Sequence, residues 1–259
     1  MTTPFTYDFG YSWPITWGLL IPVVLFGVLA AAGLRLKWRR WIVIASALVV
    51  VWGIVGLLIT HALFRINLPV PPLTERFASS GSGRFVDIGA GSGRATIGLL
   101  LARPRAHVTA VDIYKGYYGI DDNRPERLIR NAGIAGTADR VSVVVGDARA
   151  LPLETGAFDG VISVAAIDHL PRAGIPKALA EAARVLKPQG EFLLAVVNVD
   201  WWAWVVSPHA LGHHPRTDPG RWRTLLESAG FNIIEQGKGV HRDTHCRAQS
   251  VRQPFYFFR

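Results

Sequence analysis

Residues 86–94 read VDIGAGSGR, and the reading of this stretch decides the fold. An apolar run carrying one acid leads straight into three glycines, Gly89, Gly91 and Gly93, and then into the helical pattern RATIGLLLARP at 94–104. Glycines between a strand and a helix permit a sharp turn and let backbone N–H groups approach a ligand where a Cβ would block it. Such a turn alone also serves dinucleotide sites and structural bends, so its surroundings must settle its meaning.

Downstream, short apolar runs alternate with helical patterns. RFVDIG (84–89), HVTAVDI (107–113), RVSVVVGD (140–147), FDGVISV (158–164) and GEFLLAVVNV (190–199) read as strands, with RPERLIRNAGI (124–134) and GIPKALAEAARVL (174–186) as helices between them. The tail adds a helix, DPGRWRTLLESAG (218–230), and two strands, FNIIEQ (231–236) and PFYFFR (254–259). Strand and helix in alternation imply a mainly parallel sheet covered on both faces. Ligands of such sheets bind beyond the carboxyl ends of the strands. Asp87 lies inside the first strand ahead of the glycines. Asp112 ends the second strand, where a carboxylate can accept both hydroxyls of a ribose, and Asp147 ends the third, suited to an adenine amino group.

With VDIGAGSGR, GDARALPLETGAFDGVISVAAIDHL (146–170) and RVLKPQGEF (184–192) in this order, residues 84–259 resemble the class I S-adenosylmethionine-dependent methyltransferases. Within them the chain is most similar to the small-molecule branch typified by ubiquinone and menaquinone C-methyltransferases. The resemblance implies a Rossmann-like α/β fold with a mainly parallel seven-stranded sheet and helices on both faces. It implies S-adenosyl-L-methionine as cofactor, with Asp87, Gly89, Ala90, Gly91 and Gly93 around its methionine part. Asp112 and Ile113 would hold ribose and adenine, Asp147 and Ala148 the adenine edge, and Ser163 to Ala165 the floor beneath the sulfonium. The chain departs from the family at KPQG, where a second glycine is commoner, and in the tyrosine-rich insert YKGYYGIDDN (114–123).

The stretch DWWAWVVSPHALGHHPR (200–216) follows the fifth strand and so leaves the sheet at the ligand edge. Trp201, Trp202 and Trp204, with His209, are expected to line an acceptor pocket and keep water from the sulfonium. His213 and His214 join Asp168 and His169, which follow the fourth strand, as acid-base candidates. His169 is the first choice for the acceptor-side base, because neutral imidazole takes a proton near pH 7. His209 and His213 have a spacing that metal ligands use, but no clear third and fourth ligand accompanies them, and no metal is expected.

Before the sheet stand two nearly uncharged runs, 13–34 and 41–64, each matching the roughly 20 apolar residues that cross a bilayer as a helix. RLKWRR (35–40) between them allows only a tight hairpin. The expected layout is a two-helix transmembrane hairpin at 1–66, an exposed Pro- and Ser/Gly-rich connector at 67–83, and the catalytic domain at 84–259. Four of the cations behind the net charge of +9 sit around the hairpin loop, which suits anionic lipid and leaves no stripe for nucleic acid. Cys246 is the single cysteine, so no internal disulfide forms.

The expected activity is therefore methyl transfer to a small, lipid-soluble acceptor by a membrane-anchored enzyme. S-methylation of small thiols or sulfide is the alternative within enzymes, and a catalytically inactive cofactor-binding scaffold the alternative outside them. The positive-inside tendency would place RLKWRR in the cytoplasm, whereas cofactor supply places the catalytic domain there. The cytoplasm-facing domain is the expectation adopted, reconciled with the loop by a hairpin that dips without crossing or by a homo-oligomer that buries it.

Overall fold

The computed structural model describes residues 7–63, 65–115, 120–196, 219–239 and 253–258. The stretch 200–216, with Trp201, Trp202, Trp204, His209, His213 and His214, lies outside them. The described residues fall into two units, one spanning 11–66 and the other joining 7–10 to the described residues from 67 onward.

The second unit is built on a seven-stranded sheet. Its strands are β1 (Ser82–Ile88), β2 (Arg105–Asp112), β3 (Val141–Val145), β4 (Phe158–Val164), β5 (Leu186–Ala195), β6 (Ile233–Gly239) and β7 (Gln253–Phe258), in the order β3-β2-β1-β4-β5-β7-β6. The first five are parallel, and β7 runs antiparallel between β5 and β6. The chain leaves β1 toward β2 and β3, then returns to place β4 on the other side of β1. That reversal opens a crevice at the carboxyl ends of β1 and β4.

Side-chain alternation divides the core between the two faces. Phe85, Ile162 and Leu193 point to the face where α4 (Arg94–Ala102) packs with Leu99 and Leu100. Val86, Val161 and Leu194 point to the face of α6 (Ile175–Val185) and of α7 (Pro219–Ser228), whose Trp222 is fully buried. Helix α6 buries Ile175, Ala178, Leu179, Ala182 and Val185, one stripe at helical spacing. Helix α5 (Pro125–Ile134) starts on its proline with Glu126 in the first turn, a favourable end for both.

The stretch expected as an exposed connector is instead laid down on the sheet unit. Val70 donates its N–H to the Arg94 carbonyl, Phe77 is fully buried edge-on to Phe85 and Phe257, and the Arg103 guanidinium satisfies the carbonyls of Glu75 and Phe77. Prolines that suggested a free tether are interleaved with apolar residues that fill the α4 face. Residues 7–10 likewise lie with the sheet unit and not with the apolar runs that follow them.

In the other unit, α1 (Trp13–Trp17) and α2 (Leu20–Arg35) cover the first apolar run, and α3 (Arg40–Leu58) with a π-helical turn (Ile59–Leu63) covers the second. Gly33 lies against Val43, Gly27 against Val50 and Gly53 against Val23, so α2 and α3 are antiparallel. Two spanning helices were expected, but among the described residues one is long and apolar enough: Arg40–Ala62, with a mean hydropathy of 2.9. The first run is broken at Gly18 and Leu19, which leaves α2 with 16 residues, about 24 Å against a hydrocarbon layer of about 30 Å.

Candidate active site

The site grows from the glycine turn. The N–H groups of Gly89 and Ala90 donate to the Val111 carbonyl at 2.8 and 3.1 Å, which ties the turn to the end of β2. All three glycines have positive φ, but for different neighbours. A Cβ on Gly89 would sit 2.2 Å from the Ala166 Cβ, and one on Gly93 would sit 2.8 Å from Leu128. Those two are required by packing. At Gly91 the nearest atom is Ile120 Cδ1 at 3.4 Å, so Gly91 is where the backbone faces room for a ligand.

Asp87 lies beneath the turn, buried and held by Thr96, whose hydroxyl donates to Oδ2 at 2.6 Å. Burial pushes its carboxyl up to about 7, with the Thr96 hydrogen bonds opposing and the charge of Asp112 adding. Asp87 thereby anchors the start of α4 from below. Asp112 stands at the end of β2, its Oδ2 accepting from Gly91 N–H at 2.9 Å and its Oδ1 from Tyr114 N–H at 2.7 Å and Asn123 Nδ2 at 3.2 Å. Beside it, Ile113 is exposed and offers an apolar ledge. Ser163, fully buried on β4, donates to the Ile88 carbonyl at 2.9 Å and pins the ends of β1 and β4 together. Ala165 follows with φ of 52°, and the turn Ile167–His169 carries Asp168 and His169, both half-buried. The contact of Gly89 with Ala166 brings the turns after β1 and β4 together at the crevice.

Asp147 departs from expectation. Arg149 grips both of its carboxylate oxygens, with Nε at 2.9 Å from Oδ1 and an NH2 group at 2.5 Å from Oδ2. The Arg149 hydrogen bonds hold the Asp147 carboxyl below the usual carboxylate range. As placed, it is an ion-paired turn residue and not an open acceptor for an adenine amino group; Ala148 beside it packs on the α6 core.

Residues that sequence reasoning passed over complete the crevice. Tyr114, with φ of 49°, buries its hydroxyl without a partner among the described residues. Burial, then the charges of Asp112, Asp87 and Glu126, raise its phenol, so it remains a donor. Asn123 Oδ1 and Ser92 Oγ are also buried and bare. Three unsatisfied polar atoms around Gly91 and Asp112 are costly in a finished core, and together they fit a ligand with hydroxyl, amino and carboxylate groups. This crevice therefore suits S-adenosylmethionine, and Asp112, Ile113 and the Gly91 turn are the residues that could hold it. Tyr114 belongs to the insert already visible as a departure from the family, and that insertion was the available signal.

Residues 85–190 match the family model described as a methyltransferase domain. A ubiquinone/menaquinone biosynthesis C-methyltransferase of Methylobacterium nodulans is 35% identical over 156 residues, 56% of this chain and 58% of that protein. A malonyl-acyl-carrier-protein O-methyltransferase of Geobacter sulfurreducens is 31% identical over 163 residues, 59% of this chain and 57% of that one. The chain thus spans less than two thirds of the length of these curated relatives. Among solved structures, the 1,6-didemethyltoxoflavin-N1-methyltransferase of Burkholderia thailandensis, bound to 1,6-didemethyltoxoflavin and S-adenosylhomocysteine, superposes with a TM-score of 0.50 at 23% identity, covering 70% of this chain and 73% of that one. That likeness is one of fold.

Proposed function

Because residues 85–190 are a methyltransferase domain of the class I, S-adenosylmethionine-dependent kind, we propose that the chain is a membrane-anchored enzyme that methylates a small, lipid-soluble acceptor. The observation that carries this reading is the composition of the helical unit. Its outer surface presents Ile21, Val24, Leu25, Val28, Ile44, Leu48, Val51, Ile54 and Leu58, while its interior holds Gly33, Ser46, Gly53 and Gly56. Large apolar residues outside and small ones between helices is the arrangement that lipid favours and water does not. An active site tethered to the bilayer meets an acceptor concentrated there. The likeness to a C-methyltransferase of ubiquinone and menaquinone biosynthesis supports an acceptor of that solubility.

When bound, the cofactor supplies a methyl group already activated on a sulfonium. The work left to the chain is alignment and exclusion of water. Asp112 would hold the ribose hydroxyls, Ile113 the adenine face, and the backbone at Gly91 the methionine part. Where the acceptor must lose a proton, the His169 imidazole would take it, with Asp168 beside it in the turn Ile167–His169. Trp201, Trp202, Trp204, His209, His213 and His214 remain our candidates for the acceptor side. The catalytic domain faces the cytoplasm, where the cofactor is made.

Membranes carrying the full chain, incubated with methyl-labelled cofactor and lipid extract, should move label into the organic phase. Asp112→Ala should weaken cofactor binding and lose most of that transfer. Label found only in water-soluble thiols would overturn the acceptor class.

A further inference from the structure

Residues 7–10 stand ahead of the apolar segment in the chain and yet pack on the sheet unit. Tyr7 and Phe9 are buried there, their rings stacked with centroids 5.6 Å apart. One fastening is the side chain of Asn131 in α5, which is fully buried. Its Oδ1 accepts from Asp8 N–H at 3.1 Å, and its Nδ2 donates to the Asp8 carbonyl at 2.7 Å and to the Ser92 carbonyl at 3.0 Å. One carboxamide therefore pairs with both backbone groups of Asp8, as a neighbouring strand would, and joins them to the glycine turn.

The segment also grips the opposite wall of the crevice. The Gly10 carbonyl accepts from Asp121 N–H at 2.7 Å, and the Arg127 guanidinium bonds the Asp121 carbonyl while facing the Asp8 carboxylate at 3.4 Å. Gly10 leaves space for that guanidinium, since a Cβ would fall 1.8 Å from it. Immediately beside Asp121, Ile120 reaches over Gly91, and two residues on Asn123 donates to Asp112. The turn after β1 and the insert after β2 come from different parts of the chain; residues 7–10 are joined to the first through Asn131 and bonded directly to the second.

We propose that residues 7–10 are a positioning strap for the cofactor site, fastened to the glycine turn through Asn131 and to Asp121 through the Gly10 carbonyl, so that Ile120 and Asn123 are held against Gly91 and Asp112. This rests on the glycine turn being the cofactor cradle. Its consequence is that the segment ahead of the membrane anchor sets affinity for a ligand bound in the catalytic domain.

The test uses the full chain in lipid nanodiscs and S-adenosylhomocysteine as probe, by calorimetry at a temperature well below each variant's unfolding. Deleting residues 2–9 with the apolar segment kept, or making Asn131→Ala, should weaken binding by about 10-fold to 100-fold, as expected for losing two or three buried hydrogen bonds. With a working acceptor, cofactor KM should rise while kcat changes little, and a synthetic peptide of residues 1–10 should restore affinity to the deletion variant. Restoration in trans separates positioning from general damage to the fold. Unchanged affinity in both variants, beside a wild type that binds, would overturn the strap and leave the cofactor site standing. A wild type that fails to bind would overturn the site and the strap together.

Discussion

Asp87 keeps a carboxyl group in a place without water, and its protonation is coupled to folding. Burial raises it from 3.8 to about 7, so the folded chain binds a proton that the unfolded chain has released across that interval. Stability from this group is complete below the ordinary carboxylate range and is lost as pH rises through about 7. Asp87→Asn should therefore gain on the ligand-free wild type as pH increases, with the difference in Tm growing between pH 5 and pH 8. A difference that stays flat, or falls, would remove the buried acid from the account. At this scale the sequence was informative where spacing dictates chemistry: Gly91 and Asp112 are where the strand-glycine-helix order puts them. The reading of Asp147 as an adenine acceptor did not foresee its ion pair with Arg149, because that pair depends on the bend between 147 and 150. Asn131 left a usable trace, a polar residue between Leu128 and Ala132 on the buried face of α5.

Elements were easier to read than their packing. The strands of the parallel sheet and the helices between them follow from runs of Val, Ile, Leu and Phe alternating with helical stripes, a pattern that few other arrangements satisfy. The stretch from 67 to 83 was read as an exposed connector because proline and serine describe only the conformation of a chain, while Val70 and Phe77 decide where it lies. Helix α4 gives a direct check. Replacing a helical glycine by alanine at an exposed site gains about 1 kcal/mol, but a Cβ on Gly98 would stand 1.8 Å from the Val70 carbonyl oxygen. Gly98→Ala should thus lower stability by about 1 to 3 kcal/mol, the usual range for forced overpacking, read as a fall in Tm in detergent. A rise in Tm would mean that the stretch is a free tether after all. The first apolar run shows the opposite limit. Like the second it is nearly uncharged, and the break at Gly18 and Leu19 separates a short helix from one of spanning length.

For the whole molecule, the strap constrains topology. If the helical unit is the anchor proposed above, residues 7–10 and the sheet share one side of the membrane, so the apolar segment between them must return to the side from which it left. Epitopes at the two ends of the chain, in sealed vesicles, should be digested together by protease added on the cytoplasmic side. Protection of one end alone would contradict the docking of Asp8 on Asn131. That docking also imposes an order on biosynthesis, because the two partners are 123 residues apart. At 5 to 20 residues per second, Asn131 is made roughly 6 to 25 s after Asp8. A segment anchored as proposed would have left the ribosome and met the bilayer within that interval. Residues 7–10 therefore find their place after much of the chain that follows them, and a nascent chain inserted the wrong way round would have them across the membrane from Asn131. Closure of the crevice would then report on correct insertion.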